Sequence, residues 1–222
     1  MEQIRIAIAD DHKLFSAALA SLINQLPGME VVFVAADGEA LIKEIETKEI
    51  DVLLLDINMP NLNGIEATKI LRNKYPDLKI IIISMYENKN LIYTLVELGV
   101  NAYLLKTGEP EEVGRCIHSV VMEGYFLNDQ VTLELLHSFT NENKSAAGNN
   151  QDIILSEEDL LLLKCISQGK NNVAIAKQFS KTFKMSMSPR TVDRHKTELA
   201  NKLGVHGTFG VALFAWKSGL VD

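Results

Sequence analysis

Short apolar runs alternate with amphipathic stretches over the first 125 residues. The runs are rich in β-branched residues and are bounded by Asp, Gly, Asn or Ser, which is typical of buried strands. The stretches between them repeat apolar side chains at helical spacing. The predicted strands are 4–9, 31–35, 52–55, 80–83 and 102–105, and the predicted helices are 14–26 and about 39–48, 64–74, 89–98 and 110–123. This alternation predicts an α/β fold, a five-stranded doubly wound parallel sheet.

After Gly124 only helical spacing remains. A short helix at 131–137 is followed by 138–152, a polar segment rich in Asn, Ser and Ala that indicates a linker. The predicted helices beyond it begin after Ser156, near 171, at Ser188-Pro189 and near 207, with Gly169 and Gly204 as stops. We therefore predict three parts: an α/β domain at 1–125, a linker helix and linker at 126–152, and a small all-α domain at 153–222.

Composition excludes several classes of protein. A chain of 222 residues has room for two small domains. It has no apolar run long enough for a membrane helix and begins with no signal-peptide pattern, so we expect a cytoplasmic protein without membrane contact. Its two cysteines lie far apart, and its five histidines are scattered without a His-x-x-x-His pair. We therefore expect neither a disulfide scaffold nor a metal site built on histidine.

The net charge of −7 conceals an asymmetry along the chain. Residues 1–140 carry 11 Lys and Arg against 21 Asp and Glu, a net charge of −10. Within 164–202 there are 9 basic and 2 acidic residues, a net charge of +7. An acidic first part and a basic last part indicate two domains with different partners. The basic part favours nucleic acid, with an ordinary solvated basic face as the alternative.

Polar residues follow the predicted strands of the sheet. Asp10-Asp11 follow the first, Asp56 the third, Ser84 the fourth and Lys106 the fifth. The carboxyl ends of parallel strands meet at one edge, so these side chains are expected to lie together. Three carboxylates repel one another unless a cation compensates, and oxygen ligands suit Mg²⁺, whereas a lysine suits a phosphoryl group. The alternative is that the aspartates merely cap the following helices.

Residues 1–125 resemble the receiver domain of bacterial two-component response regulators, which implies a flavodoxin-like sheet. The matching motifs are Asp10-Asp11-His12, Leu55-Asp56-Ile57-Asn58-Met59-Pro60 with Gly64, Ser84-Met85-Tyr86-Glu87, and Ala102-Tyr103-Leu104-Leu105-Lys106.

The resemblance implies that Asp56 accepts a phosphoryl group from a phosphohistidine of a histidine kinase. It implies a Mg²⁺ ion held by Asp10, Asp11, Asp56 and the backbone carbonyl of Asn58. The chain would then be no enzyme beyond its own phosphorylation and dephosphorylation. A phosphatase with an aspartyl nucleophile would need a second carboxylate where Asn58 stands.

The resemblance also assigns three residues that respond to the phosphoryl group. Lys106 would pair with its oxygens and Ser84 would hydrogen-bond to it. Tyr103 would then rotate inward as a switch.

Residues 153–222 resemble the four-helix LuxR-type DNA-binding domain that follows such receivers in the NarL/FixJ group. The matching residues are Leu155-Ser156, Gly169, Asn172, Ile175-Ala176, Ser188-Pro189-Arg190-Thr191-Val192, His195, Lys202-Leu203-Gly204-Val205 and Gly219-Leu220-Val221. The resemblance implies a helix-turn-helix whose second helix, from about Pro189, enters the major groove of double-stranded DNA. It implies a transcription regulator that acts as a homodimer when active.

The residues expected to touch DNA are Arg190, Thr191, Arg194, His195 and Lys196. Between Phe179 and Ser188 lie eight residues, roughly six more than usually join the two helices in this family, so 180–187 contains an insertion. Lys181 and Lys184 in this insertion either add phosphate contacts or belong to an extended helix. The alternative function is a receiver whose helical domain docks a protein, with weak or lost DNA binding.

Overall fold

The computed structural model describes residues 3–86, 89–128 and 155–218, without the side chains of Lys89, Trp216 and Lys217. These residues divide into two compact units, one formed by 3–86 and 100–121 and the other by 89–99, 122–128 and 155–218. The predicted helix at 131–137 and the linker at 138–152 lie outside the described residues. The predicted domain boundaries therefore stay predictions.

The first unit is built on five parallel strands in the order β2-β1-β3-β4-β5. They are β1 (Ile4–Ala9), β2 (Met29–Ala35), β3 (Val52–Asp56), β4 (Lys79–Ser84) and β5 (Ala102–Leu105). The predicted α/β fold class is confirmed, with strand ends shifted by at most two residues. Every residue of β3 is buried, which explains why its first four residues, 52–55, are all apolar instead of alternating, with the buried Asp56 at the strand end.

Helices separate the strands along the chain: α1 (Lys13–Asn24), α2 (Gly38–Ile45), α3 (Gly64–Lys74) and α4 (Lys89–Glu97), with α5 (Pro110–Glu123) after β5. The strand order reverses its direction between β1 and β3, which are neighbours with Ala9 opposite Leu55. Ligands of such sheets bind beyond the carboxyl ends of the strands at this reversal. The fold thus places Asp10 and Asp56 side by side at the expected ligand position.

The helical part of the second unit comprises α6 (Glu157–Ser167), α7 (Asn172–Phe183), α8 (Pro189–Leu203) and α9 (Gly207–Lys217). The predicted helix starts are confirmed. Ser156 forms a capping box with Asp159, and Ser188 caps α8 with Pro189 at its first position. Gly204 ends α8 at a φ of +68°, a conformation that glycine adopts without steric cost.

The insertion before α8 lengthens a helix. Helix α7 continues into the insertion as far as Phe183, whose ring lies 5.6 Å from that of Phe179. Lys184 then ends the helix in the left-handed conformation, at φ +55°. Met187 is buried, so the segment before α8 is anchored to the core by an apolar side chain. The first part of the insertion therefore extends α7, and the phosphate contacts of Lys181 and Lys184 stay a prediction.

In the described ranges, no helix combines the length and apolar character that crossing a bilayer requires.

Candidate functional site

The three predicted carboxylates come together at the carboxyl edge of the sheet. Asp10 follows β1 and Asp56 ends β3, and each is only 4% exposed, whereas Asp11 is more accessible. Backbone amides orient the two buried groups. His12 N donates to Asp10 Oδ1 and Ile57 N donates to Asp56 Oδ1, each at 2.8 Å.

Lys106 reaches both buried carboxylates from the residue after β5. Its Nζ lies 2.8 Å from Asp10 Oδ2 and 2.8 Å from Asp56 Oδ2. Burial acts to lower the pKa of Lys106, but the hydrogen bonds to Asp10 and Asp56 outweigh it, so the pKa is raised and the ammonium stays charged. Burial raises the pKa of the Asp56 carboxyl, and the Lys106 contact only partly opposes this effect. One cation therefore serves two buried anions, which leaves an excess of negative charge.

Ser84 and Tyr103 hold the chain that follows β4. Ser84 is fully buried at the end of β4, and its Oγ accepts a hydrogen bond from Tyr86 N at 3.2 Å. The Tyr103 hydroxyl donates to Tyr86 O at 2.5 Å, and its ring is buried. Tyr103 thus occupies an inward position in this structure. Glu87, part of the matching motif, lies outside the described residues.

Gly64 packs closely against the backbone of Asp56 and Ile57. Gly64 N donates to Ile57 O at 2.9 Å, and a Cβ at Gly64 would lie 2.2 Å from Asp56 O. Any residue larger than glycine at position 64 would therefore overlap the backbone of Asp56. Asn58, the residue after Ile57, is exposed. The role of its backbone carbonyl as a ligand of the Mg²⁺ ion stays a prediction.

Sequence reasoning missed His12 as a site residue. Its Nδ1 lies 2.9 Å from Asp11 Oδ1, 3.4 Å from Asp10 Oδ1 and 4.0 Å from Asp56 Oδ2. The four potential ligand atoms of Asp10, Asp11, His12 and Asp56 all lie within 4.8 Å of one another. Carboxylate oxygens at this spacing fit a small divalent cation. Adjacency to Asp10-Asp11 was the signal that could have identified His12.

Four of the predicted DNA contacts are exposed in the helical part of the second unit. They are Arg190 and Arg194 on α8, Lys181 on α7 and Lys184 at the end of α7. Arg194 Nε lies 3.5 Å from Glu198 Oε1, one turn further along α8. Because both side chains are well exposed, this pair is weak and leaves the guanidinium accessible.

The other three predicted contacts are engaged within the second unit. Thr191 Oγ1 lies 2.8 Å from Ser188 Oγ at the start of α8, and the His195 ring meets the edge of the Phe179 ring. Lys196 is only 4% exposed, and its Nζ donates to Glu123 O at 2.9 Å. Contact between Lys196 and a phosphate would therefore require this hydrogen bond to break.

Asp193, the acidic residue on α8, also has a partner. Its Oδ1 accepts a hydrogen bond from Asn172 Nδ2 at 2.7 Å. The carboxylate therefore links α7 to α8 in addition to adding a negative charge to the exposed side of α8.

Comparison with known proteins identifies the class. Residues 6–118 match the response regulator receiver domain, and residues 153–215 match the luxR family of bacterial regulatory proteins. The oxygen regulatory protein NreC of Staphylococcus carnosus (strain TM300) is 30% identical over 99% of this chain and 100% of its own length. NreC of Staphylococcus aureus (strain bovine RF122 / ET3-1) is 31% identical over 99% of this chain and 100% of its own. The chain therefore belongs to the two-component response regulators of the NarL/FixJ type, with a receiver domain and a LuxR-type DNA-binding domain.

Solved structures show the same fold. The response regulator ChrA of a heme-sensing two-component system has a TM-score of 0.51 and 28% identity, covering 99% of this chain and 100% of its own. The RcsB–DNA complex has a TM-score of 0.58 and covers 97% of this chain and 99% of its own, and at 23% identity it supports the fold alone.

Proposed function

We propose that Asp56 accepts a phosphoryl group from a histidine kinase and that this modification controls transcription through DNA binding by α7 and α8. The observation that carries the proposal is the placement of Asp56. Its buried carboxylate lies 2.8 Å from the Lys106 ammonium and close to two further carboxylates. Without this placement of Asp56, a match to the family alone would not identify Asp56 as the residue that accepts the phosphoryl group.

The acidic set fits Mg²⁺, with Asp10, Asp11 and Asp56 as ligands together with the proposed carbonyl of Asn58. Their oxygens are the hard donors that this ion prefers. When bound, the ion neutralises part of the excess negative charge and shields the incoming phosphoryl group from the carboxylates.

The chain's own residues position the nucleophile. The amide of Ile57 holds Asp56 Oδ1, and Lys106 holds Asp56 Oδ2. As one Asp56 oxygen forms the new O–P bond, the P–N bond of the donor breaks, and its electron pair stays on the leaving imidazole. Lys106 then pairs with the phosphoryl oxygens that replace the carboxylate charge.

Ser84 and Tyr103 transmit the change to the chain after β4. The Ser84 hydroxyl can donate to a phosphoryl oxygen while its oxygen still accepts from Tyr86 N. The Tyr103 hydroxyl donates to the carbonyl of the same Tyr86, so movement of the chain at Tyr86 alters the contacts of both Ser84 and Tyr103. We propose that this pair couples phosphorylation to the surface beyond β4.

Phosphorylation of Asp56 is tested by intact-mass analysis after treatment with a small phosphodonor and Mg²⁺. The wild-type chain should gain one acid-labile phosphoryl group, and Asp56→Ala should gain none. Asp77→Ala is the matched control, because Asp77 is an exposed aspartate before β4, at the opposite end of that strand from Ser84. An equal mass gain in Asp56→Ala would contradict the proposal.

The DNA-binding part of the proposal rests on the exposed basic residues of α7 and α8 and on the LuxR family match. Arg194 projects from the surface of α8 and suits a guanine edge, whereas Lys181 and Lys184 suit phosphates. One such helix gives too little contact for specific recognition, so we propose that a homodimer binds paired half-sites. These partners imply that the protein acts in the cytoplasm.

DNA contact is tested by titration of duplexes at several salt concentrations. Lys181→Ala should weaken binding to all sequences and reduce the salt slope by about one unit. Lys164→Ala is the control, because it removes the same charge from an exposed position on α6 and should leave the slope unchanged.

Sequence readout is tested by selection of duplexes with the Arg194→Ala variant, which should relax preference at one base position by about 1–3 kcal/mol. If neither this variant nor Lys181→Ala alters binding to any duplex, the helical unit docks a protein instead.

A further inference from the structure

We propose that His12 is an additional ligand of the cation site through Nδ1. The pocket is thereby made selective for first-row transition ions such as Mn²⁺ and Co²⁺ relative to Mg²⁺. This inference rests on the cation site of the proposed function, and it adds a nitrogen ligand to a set that otherwise consists of oxygens.

The distances around His12 match those between ligands of one ion. In an octahedral site with metal–ligand bonds of about 2.1 Å, adjacent ligands lie about 3.0 Å apart and opposite ligands about 4.2 Å apart. His12 Nδ1 lies 2.9 Å from Asp11 Oδ1, 3.4 Å from Asp10 Oδ1 and 4.0 Å from Asp56 Oδ2. All three values are close to or between these two limits, so little movement of the imidazole is required.

The backbone fixes His12 at the rim of the pocket. Its amide donates to Asp10 Oδ1, which ties the residue directly to one of the carboxylates. His12 is the residue before α1, and in the described structure its side chain makes no capping hydrogen bond to that helix. The imidazole is 65% exposed and faces the carboxylates instead of serving the core or the helix start.

Lys106 and His12 approach Asp10 through different atoms. Lys106 Nζ contacts Oδ2 of Asp10, whereas His12 Nδ1 faces its Oδ1 and Oδ1 of Asp11. An ion held between the imidazole and these two oxygens therefore leaves the Lys106 contact with Asp10 in place. The ligand set becomes one nitrogen and several carboxylate oxygens.

The nitrogen changes which ions the site prefers. Carboxylate and carbonyl oxygens suit Mg²⁺, whereas imidazole suits transition ions, with affinity rising from Mn²⁺ towards Co²⁺ and beyond. A histidine that only forms an ion pair with Asp11 would alter the affinities of all divalent ions alike. The ratio of the affinities for a transition ion and for Mg²⁺ therefore shows whether His12 is a metal ligand or only a charge near the site.

The test measures dissociation constants of Mg²⁺ and Co²⁺ by calorimetry on the full, tag-free chain. His12→Ala should lower the preference for Co²⁺ over Mg²⁺ by about tenfold or more, since even loss of a residue that only supports a metal ligand costs about tenfold or more in metal affinity. His118→Ala removes an exposed histidine on α5 and should leave the ratio unchanged. Asp11→Asn should weaken both ions, because it removes a shared oxygen ligand. An unchanged ratio in His12→Ala would overturn the inference.

Pulsed electron paramagnetic resonance of the bound Mn²⁺ gives a direct readout. A nitrogen coupling should appear in the wild-type chain, persist in His118→Ala and disappear in His12→Ala. Absence of the coupling from the wild type would also overturn the inference. Mass analysis of the same samples with Mg²⁺ and a phosphodonor separates the two proposals. If Asp56 is phosphorylated but His12→Ala changes neither the affinity ratio nor the nitrogen coupling, only the proposal for His12 is refuted.

Discussion

At the scale of single residues, the site depends on close backbone approaches as much as on charged groups. Gly64 begins α3 directly against the backbone of Asp56 and Ile57. The requirement for glycine here comes from space and not from a left-handed φ, because an added Cβ would overlap Asp56 O at 2.2 Å. Thr68 reinforces this turn by donating from its buried hydroxyl to Gly64 O at 2.7 Å.

Gly64→Ala should therefore displace Asp56. We expect a loss of about 1–3 kcal/mol in the free energy of unfolding, as for other backbone overlaps, and slower phosphorylation by the small phosphodonor. Chemical denaturation and time-resolved mass analysis would measure the two effects. Gly114→Ala is the control, because its Cβ meets only the movable end of Leu26 and alanine favours the helix. Equal behaviour of the two variants would refute the role of Gly64.

At the scale of secondary structure, the start of α6 is secured both within the helix and from α8. Ser156 Oγ accepts from Asp159 N, and Asp159 Oδ2 accepts from Ser156 N. Lys202 Nζ on α8 donates to the same carboxylate oxygen at 2.5 Å. Partial burial acts to raise the pKa of Asp159, but Lys202 and the Ser156 amide together lower it below its ordinary value. One carboxylate thus caps a helix and joins two helices.

Asp159→Asn keeps an acceptor for the cap but removes the charge. We expect a loss of about 0.5–1 kcal/mol at pH 7, a modest value because Lys202 is partly exposed. Since the folded-state pKa is depressed, the charge stabilises fully above the unfolded value of about 3.9, and this contribution is lost as pH falls through the folded pKa. The two curves of unfolding free energy against pH should therefore converge at low pH.

Urea unfolding followed by the fluorescence of Trp216, the only tryptophan in the chain, would measure this convergence. Ser156→Ala is the control, since it removes an uncharged cap and should cost about 1 kcal/mol at neutral pH with little dependence on the charge of Asp159. A difference between wild type and Asp159→Asn that stays constant down to low pH would contradict the assignment of the ion pair.

At the scale of the whole molecule, the proposed function requires that phosphorylation in one unit alter DNA binding by the other. The phosphoryl group adds a charge of about −1.5 to −2, by analogy with other phosphorylated side chains. The residues it would reach, Lys106 and Ser84, lie at the ends of β5 and β4. The proposed recognition of paired half-sites depends on the population of dimers, so a modest shift in that equilibrium would change DNA affinity.

Phosphorylation should therefore promote dimerisation and tighten operator binding by about tenfold or more, equivalent to about 1.4 kcal/mol. Sedimentation and DNA titration, each with and without the small phosphodonor, would measure the two effects. Asp56→Ala should show neither response, whereas the Asp77→Ala control should show both. A phosphorylated wild-type chain that stays monomeric and binds DNA unchanged would refute this coupling.

Much of the fold was predictable because its signals are local along the chain. Apolar runs bounded by polar residues predicted all five strands, and parallel topology alone brought Asp10, Asp56 and Lys106 to one edge. Helix starts at Ser156 and Ser188 were equally readable, because a cap and its amide lie within three residues of each other.

The features that could not be predicted depend on contacts between residues whose relative positions the hydrophobic pattern does not specify. Lys196 is buried and donates to a carbonyl 73 positions away, and α7 extends as far as Phe183, whose ring contacts that of Phe179. His12 is adjacent in sequence to two aspartates, but only the turn before α1 directs its imidazole to them. The sequence by itself thus determined the fold class and the acidic pocket, since periodicity and strand ends are properties of the chain. Only the tertiary structure decided that His12 joins that pocket and which basic residues of α7 and α8 stay exposed, because these depend on through-space contacts.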